Sequence, residues 1–166
     1  MPAKFSDAAK TKLAAILGRY PNRQAACLPA LYLAQAEFGH LADDVVHLVA
    51  RELDLAVAHV FGVVTFYTMF HRDKTGKNVL MVCTNVACML RGGNDILAHI
   101  EERLGIKAGE TTPDGMFTIV EEECLAACAN APMMVCGPKY FLDLDKNKVD
   151  HVLAQLREHP ESEHVD

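Results

Sequence analysis

The first part of the chain places apolar side chains at a helical period. Ser6 is a suitable N-cap for a first helix, which Pro21-Asn22 should stop. Between these signals the apolar positions recur at helical spacing: Leu13, Ile16, Leu17 and Tyr20. The pattern predicts an amphipathic helix.

A second helix is predicted over about Gln24 to Phe38, with Gly39 ending it. Its start is expected nearer Leu28, because Pro29 is tolerated only in the first turn of a helix. A third helix is predicted from the acidic pair 43–44, which suits a first turn. Its apolar positions are Val45, Leu48, Val49 and Leu53.

A short fourth helix is expected around Leu55 to Val60, leading into the apolar stretch 61–70. Amphipathic helices of this kind must bury their apolar faces against one another, so they predict a small helical bundle. The polar segment 71–77 that follows is interpreted as a linker. We therefore expect one domain over residues 1–74 and a second over residues 75–166.

Beyond Lys77 the pattern changes to short apolar runs separated by turn residues, which is typical of strands alternating with helices. Strands are predicted at 78–82, ending at Cys83, and then at 116–120, 133–136 and 140–144. One helix is predicted to begin at Gly92-Gly93. A separate, final helix is predicted from Val149, Val152, Leu153 and Leu156, which recur at helical spacing. This part predicts an α+β or α/β unit, a mixed sheet of about four strands flanked by helices.

Composition narrows the classes of function. The chain has 166 residues, 51% hydrophobic and 23% charged, as globular proteins commonly do. A formal net charge of −6 argues against nucleic acid as a partner. No apolar run approaches the ~20 residues of a membrane-spanning helix, so direct membrane insertion is not expected. The N-terminal residues have no apolar signal core, which predicts a cytoplasmic location, where thiols stay reduced.

Four of the six cysteines form two spaced pairs. Cys83 and Cys88 make a C-x4-C pair, and Cys124 and Cys128 make a C-x3-C pair. Each pair follows a predicted strand, so the sulfurs can converge if the two strands are neighbours in one sheet. Thiolates are the soft ligands that iron–sulfur clusters require, and a [2Fe–2S] cluster takes four of them. The pairs therefore predict a [2Fe–2S] site.

The segments between the paired cysteines, 85–87 and 126–127, are built largely of small residues. An oxidised [2Fe–2S] cluster with its four thiolates carries two negative charges, and reduction adds a third. Backbone N–H groups in irregular loops can compensate that charge, whereas regular strands use theirs for pairing. We therefore expect the cysteines on loops rather than on helix faces.

Other thiol chemistries fit this spacing less well. Structural zinc sites and thioredoxin-type dithiols favour C-x2-C, which is found nowhere in this chain. Rieske ligation requires a histidine beside a cysteine in each loop, and neither loop contains one. Four unrelated buried cysteines would not explain two pairs at equivalent strand ends. A non-redox interaction module structured by zinc is kept as the second class of function.

The remaining candidate residues are interpreted as structural. Cys27, in an apolar helical segment, and Cys136, on a predicted strand, are both expected in the core. The pair Met133-Met134 is expected there as well. The eight histidines are scattered without a metal-binding spacing, and no nucleotide-binding motif is present. No residue is therefore assigned a catalytic role.

Several sequence segments carry a family resemblance. Around the cysteines they are 83–93 (CTNVACMLRGG), 111–118 (TTPDGMFT), 123–128 (ECLAAC) and 131–134 (APMM), and nearer the N-terminus 28–35 (LPALYLAQ) and 64–70 (VTFYTMF). With these motifs the chain resembles the thioredoxin-like [2Fe–2S] ferredoxin family from about residue 10 to residue 156. Within that family it is similar to the small iron–sulfur subunits of the NADH dehydrogenase module of respiratory complex I.

The resemblance implies a helical N-terminal domain followed by a thioredoxin-like domain with Cys83, Cys88, Cys124 and Cys128 as cluster ligands. It also implies docking against a larger flavoprotein subunit that carries FMN and the NADH site. The expected function is that of an electron-transfer subunit of a complex-I-type NADH:quinone oxidoreductase, exchanging single electrons with that FMN. Such a complex would place the chain peripherally on the cytoplasmic face of a bacterial inner membrane. The equivalent subunit of an NAD-linked hydrogenase or formate dehydrogenase is the alternative.

Two positions depart from the family pattern. Ala126 stands where the second cysteine pair of the family has glycine, in Cys-Leu-Gly-Ala-Cys. If the backbone needs a positive φ there, alanine is strained. Residues 136–139 (CGPK) replace the polar turn expected at that place. Neither departure changes a cysteine of the two pairs.

Overall fold

The computed structural model describes residues 3–159. The chain divides into two compact units between Lys74 and Thr75. Each unit has a hydrophobic core of its own. None of the helices within residues 3–159 has the length and apolar content that a bilayer crossing requires.

The N-terminal unit, where the structure describes it, contains four helices: α1 (Asp7–Arg19), α2 (Cys27–Phe38), α3 (Asp43–Leu53) and α4 (Val57–Phe66). Ser6 caps α1, its Oγ accepting a hydrogen bond from the Ala9 N–H at 3.2 Å. Gly39 ends α2 with a left-handed φ of 79°. Because α2 begins at Cys27, Pro29 lies in its first turn, where the missing N–H removes no helical hydrogen bond. The predicted start of α1 after Ser6 and the predicted end of α2 at Gly39 are both confirmed.

The extent of the fourth helix differs from the prediction. Residues 55–60 were expected to form it, but α4 begins at Val57 and continues to Phe66. Its start is delayed because Asp54, with φ 53°, ends α3 and the next two residues are extended or irregular. Its end is extended because Val60 and Val64, one helical turn apart, are both buried.

The helices of this unit bury a common apolar core. Its fully or nearly fully buried members come from all four helices and their flanks, among them Phe5, Leu13, Leu31, Leu41, Val46, Leu48, Val49, Leu53, Val60, Val64 and Phe70. The buried Gln35 ties α2 to the segment after α4: its Nε2 donates to the Met69 carbonyl and its Oε1 accepts from the His71 N–H, each at 2.9 Å. The predicted helical bundle is confirmed.

The C-terminal unit, as far as residue 159, is built on a four-stranded mixed sheet. Its α-helices and strands in chain order are β1 (Asn78–Cys83), α5 (Val86–Leu90), α6 (Gly93–Leu104), β2 (Phe117–Glu122), β3 (Met134–Cys136), β4 (Lys139–Phe141) and α7 (Lys146–Glu158). The strand order in the sheet is β2-β1-β3-β4. β1 and β2 are parallel, and β3 pairs with both β1 and β4 in antiparallel fashion. The predicted fold class is confirmed.

The C-terminal ends of β2 and β4 differ from the predicted ends, because strand pairing determines the first and backbone conformation the second. β2 extends to Glu122 because it stays paired with β1 to its last residue, whereas the prediction ended it at residue 120. β4 ends at Phe141, short of the predicted residue 144. Asp143 follows with φ 49°, a conformation that an extended strand cannot contain.

α6 and α7 pack on one face of the sheet. Alternate strand residues enter this core, namely Leu80, Val82, Phe117, Ile119, Met134 and Cys136, and meet Ile96, Ile100, Val149, Val152, Leu153 and Leu156 of the helices. Because side chains alternate across a strand, Cys83 and Glu122 belong to the opposite face. The candidate site therefore begins on the face that these two helices leave uncovered.

Candidate metal centre

The ends of β1 and β2 lie side by side at one edge of the sheet. Their parallel register pairs Cys83 with Glu122 as the last two partners. The Thr84 N–H then donates to the Glu122 carbonyl at 3.1 Å, which extends the alignment one residue past β1. The first cysteine pair starts at the end of β1 and the second starts two residues after β2. The condition on which convergence of the sulfurs depends, that the two preceding strands are neighbours in one sheet, is therefore met.

Cys83 is the buried last residue of β1. Its side chain is 4% exposed, and its backbone N–H donates to the Met133 carbonyl at 3.3 Å. Its Sγ lies 3.9 Å from the Glu123 carbonyl oxygen, so the thiol faces the chain that leads into the second cysteine pair. Cys83, Cys88, Ala131 and Met133 form a small buried cluster apart from the main core.

Cys88 lies on a helix, which the sequence did not predict. α5 is a single short helix that follows Asn85, whose side-chain oxygen accepts from the Val86 N–H. The expectation that the paired cysteines avoid helix faces is therefore wrong for Cys88. The physical reason is local: Asn85 is a strong N-cap, and one turn of helix turns the Cys88 side chain inward while its neighbours face out.

The Cys88 thiol is the neighbour of the Cys83 thiol. Burial raises the pKa of Cys88 to about 11, and a hydrogen bond with the Cys83 side chain adds to the rise. The charge of Cys128 acts in the same direction, which places a cysteine of the second pair within electrostatic reach. Thiols whose charges disfavour the thiolate of Cys88 in this way favour a bound cation, since metal ligation requires thiolates.

Two glycines join α5 to α6 and serve different purposes. Gly92 adopts φ 91°, which turns the chain between the two helices. Gly93 has no need of that freedom, but a Cβ there would stand 2.9 Å from backbone atoms of Cys88 and 3.0 Å from the Cys83 carbonyl oxygen. The first turn of α6 is thus pressed against both cysteine-bearing elements.

The second cysteine pair lies on an irregular, exposed loop. Cys124 and Cys128 are both exposed, and Cys128 opens one turn of 3₁₀ helix. The Ala126 N–H donates to the Cys124 Sγ at 3.4 Å. Ala126 has φ 61°, the left-handed conformation that glycine would adopt without strain. The expectation that this cysteine pair lies on a loop is confirmed. The backbone does adopt a positive φ at residue 126, so alanine is strained there.

The donor set suits two irons, each held by a pair of thiolates. Cys83 and Cys88 form one contacting pair, and the Cys124–Cys128 loop follows the neighbouring strand. Within residues 3–159 no three or more His, Cys, Asp or Glu side chains are grouped around a position for a single metal ion. In a [2Fe–2S] cluster two sulfides complete each iron's coordination, so two cysteines per iron are enough. The chemistry of the residues present fits that cluster.

Sequence reasoning missed Glu122, which is 8% exposed at the end of β2 and shares a face with Cys83. Strand alternation could have placed it on the cysteine face, but only once the register of β1 and β2 was known. It also missed the close approach that Gly93 makes to the cysteine backbone. The signal for Gly93 was the second glycine of a pair, since one glycine suffices for a left-handed turn.

The other cysteines and the methionine pair lie where they were predicted. Cys27 and Cys136 are each 1% exposed, and Met133 and Met134 are equally buried. The Cys136 Sγ is 3.9 Å from Asn78 Oδ1, in the interior of the C-terminal unit. Their prediction as core residues is confirmed.

Comparison with known proteins places this arrangement in a family. The family model described as thioredoxin-like [2Fe–2S] ferredoxin matches residues 13–157, which include both cysteine pairs and helices α2, α3 and α4 before them. The chain belongs to the thioredoxin-like [2Fe–2S] ferredoxin family. The resemblance inferred from the motifs is thereby confirmed.

Relatives of this ferredoxin-family chain are named as NADH-quinone oxidoreductase or NADH dehydrogenase proteins. An NADH-quinone oxidoreductase subunit of Rhizobium meliloti (strain 1021) is 44% identical over 148 residues, which cover 89% of this chain and 88% of that protein. An NADH-quinone oxidoreductase subunit of Rickettsia bellii (strain RML369-C) is 40% identical, over 86% of this chain and 87% of that one. The mitochondrial NADH dehydrogenase [ubiquinone] flavoprotein 2 of Dictyostelium discoideum is 40% identical over 94% of this chain and 64% of its own length.

A solved structure shares the fold at low sequence identity. The NAD+-reducing [NiFe]-hydrogenase in its H2-reduced state contains a chain that matches 81% of this one with a TM-score of 0.70 and 16% identity. The match covers 22% of that chain. At this identity the likeness concerns the fold alone.

Proposed function

We propose that this chain is the electron-transfer subunit of a complex-I-type NADH:quinone oxidoreductase. In this proposal it holds one [2Fe–2S] cluster on Cys83, Cys88, Cys124 and Cys128. The observation that carries the proposal is the parallel pairing of β1 and β2, which starts both cysteine segments at one sheet edge. The proposal is also supported by a relative: the chain is 44% identical to a subunit of an NADH-quinone oxidoreductase.

The two cysteine pairs would hold the cluster from different environments. The first pair is buried and fixed by β1, α5 and the close approach of Gly93. The second pair is exposed on a loop that follows β2. When bound, the cluster supplies one-electron transfer. The N–H of Ala126, which donates to the Cys124 sulfur, stabilises negative charge on that thiolate.

We propose that a flavoprotein subunit carrying FMN and the NADH site covers the exposed side of this site. Besides Cys124 and Cys128, the outer face of α5 is exposed and apolar: Val86 is 60%, Met89 46% and Leu90 77% exposed. An apolar patch beside redox ligands suits a partner that must bring its own cofactor close. Through that partner the chain would lie peripherally on the cytoplasmic face of a bacterial inner membrane.

The relatives favour complex I over its alternatives. The sequence matches at 40–44% identity are to subunits named NADH-quinone oxidoreductase or NADH dehydrogenase. The hydrogenase likeness, at 16% identity, supports a shared fold rather than a shared enzyme. A formate dehydrogenase subunit and a zinc-structured interaction module have no observation in their favour.

The cluster is tested on the chain made under anaerobic, iron-replete conditions. We expect about two irons and two acid-labile sulfides per chain and a one-electron EPR signal after reduction. Cys124→Ser should distort or bleach the visible spectrum, whereas Cys136→Ser should leave it unchanged because Cys136 lies in the core. Zinc without iron, or an unchanged spectrum in all four single Cys→Ser variants of the two pairs, would overturn the proposal.

The partner is tested by purifying the tagged chain from its native host and identifying the bound subunits. We expect a flavoprotein with FMN and NADH-dependent reduction of an acceptor. A hydrogenase or formate dehydrogenase catalytic subunit in its place would reject complex I while leaving the cluster assignment intact.

A further inference from the structure

Glu122 is a buried acidic side chain for which the candidate site has no assigned use. It is 8% exposed, and its Oε1 is buried without a hydrogen-bond donor among the described residues. The two glutamates beside it, Glu121 and Glu123, are exposed. Burying a carboxylate with incomplete hydrogen bonding is costly, so the burial of this one residue of three calls for a physical explanation.

The position of Glu122 relates it to one cysteine in particular. Cys83 is its register partner on the neighbouring parallel strand, and both residues lie on the sheet face opposite α6 and α7. Parallel strands are about 4.8 Å apart, so the two side chains leave the sheet next to each other. The Thr84 N–H bond to the Glu122 carbonyl fixes this alignment.

The surroundings of Cys83, the register partner of Glu122, are apolar. Cys83 belongs to a buried cluster with Cys88, Ala131 and Met133, and Leu125 and Val135 pack against it. Charges in such surroundings act on one another more strongly than charges in water, because little solvent screens them. By contrast, Glu121 points to the other face, is exposed, and accepts a hydrogen bond from the Thr84 hydroxyl at 2.7 Å.

We propose that the carboxylate of Glu122 sets the reduction potential of the cluster by holding a negative charge beside the ligand Cys83. This inference rests on the proposed function. Reduction adds one electron to a cluster that is already negative, with no bond made or broken, and the electron comes from the proposed flavoprotein partner. A fixed negative charge nearby opposes that addition, so Glu122 makes the potential more negative than the ligands alone would.

The test measures midpoint potentials of the full-length, cluster-loaded chain by EPR-monitored redox titration. Glu122→Gln keeps the shape and removes the charge, and should shift the potential to a more positive value. Glu121→Gln, which removes the same charge from the exposed neighbouring position, is the matched control. The change in midpoint potential from Glu122→Gln should be roughly fourfold larger than the change from Glu121→Gln. This factor is the ratio of the effective dielectric constant of water to that of protein, because the exposed charge is screened by water and the buried one is not. Glu122→Asp, which keeps the charge, should stay near the wild-type potential.

A second variant is measured in case Glu122→Gln does not fold. Glu122→Met removes the charge without burying an amide, and should shift the potential in the same direction as Glu122→Gln. The EPR signal of each variant should keep its shape, since no ligand changes. Equal shifts from Glu122→Gln and Glu121→Gln, in chains that hold the cluster, would overturn the role of Glu122. Failure of the wild-type chain to hold iron would instead overturn the proposed function, so the two failures are distinguishable.

Discussion

Gly93 lies so close to Cys88 that a Cβ on Gly93 would stand 2.9 Å from both the carbonyl carbon and the carbonyl oxygen of Cys88. The same Cβ would lie 3.0 Å from the Cys83 carbonyl oxygen. Carbon atoms of real side chains do not approach backbone this closely without a shift of one or the other. A glycine at the start of α6 is therefore a condition for the backbone geometry of the first cysteine pair.

Gly93→Ala should destabilise the C-terminal unit and disturb the first cysteine pair. The added methyl group meets backbone, which cannot rotate away as a side chain would, and the loss is expected at about 1–3 kcal/mol. Urea unfolding of the iron-free chain measures it, and iron content after reconstitution should fall as well. Gly62→Ala is the control, because nothing lies within 4 Å of its Cβ in α4. That change should stabilise its helix by about 0.5–1 kcal/mol, and equal effects at both positions would contradict the close approach.

Ala126→Gly should relieve strain in the second cysteine loop. Ala126 has φ 61°, and a left-handed residue with a Cβ costs about 1–2 kcal/mol. Part of that gain is offset because glycine makes the unfolded chain more flexible, so a net stabilisation of about 1 kcal/mol or less is expected. Urea unfolding gives the value.

The matched control is the next residue, Ala127, whose φ of −112° suits alanine. Ala127→Gly should destabilise the chain, since only the entropic effect of glycine remains. The two substitutions are expected to differ in sign. The same sign and size for both would show that Ala126 carries no strain.

Thiol labelling of the iron-free chain should separate the six cysteines by exposure. Cys124 and Cys128 are exposed and should react first with iodoacetamide at pH 8. The buried cysteines should react slowly: Cys27, Cys83, Cys88 and Cys136. Peptide mass spectrometry measures each rate, and the differences should vanish in guanidinium chloride.

The pH dependence of that labelling has a definite sign at Cys88. The thiolate is the reactive form, and burial raises the pKa of Cys88 to about 11. At pH 8 its thiolate fraction is therefore about one thousandth, and its labelling rate should keep rising as the pH approaches 11. A rate at Cys88 that levels off near pH 9 would contradict the burial of the thiol.

Asp114 should contribute to stability in a pH-dependent way. A hydrogen bond from the Thr112 hydroxyl, at 2.6 Å, and one from the Met116 N–H lower the pKa of Asp114 below its ordinary 3.8, and Arg157 adds to the effect. A lowered pKa in the folded state means that the contribution is complete above pH 3.8 and is lost as the pH falls through the lower folded value. The Tm difference between wild type and Asp114→Asn should be constant from pH 5 upward and shrink in acid. A difference that does not change in acid would contradict it.

Local signals in the sequence determined the elements whose causes lie within a few residues. The Ser6 hydroxyl caps α1, the flexibility of Gly39 ends α2, and apolar positions at helical spacing mark α7. The cysteine spacing and its surrounding motifs also determined the family, because they are a property of the chain itself.

Only the tertiary structure decided which strands pair and which faces they bury. The parallel register that sets Cys83 beside Glu122 joins residues far apart in the chain, and no local pattern contains it. The same holds for Gly93, whose importance depends on backbone that folds against it from β1 and α5. Residues near one another in sequence fix local conformation through sterics and capping. Pairing and burial are set by the packing of the whole unit, which is why the site's neighbours emerged only from the folded chain.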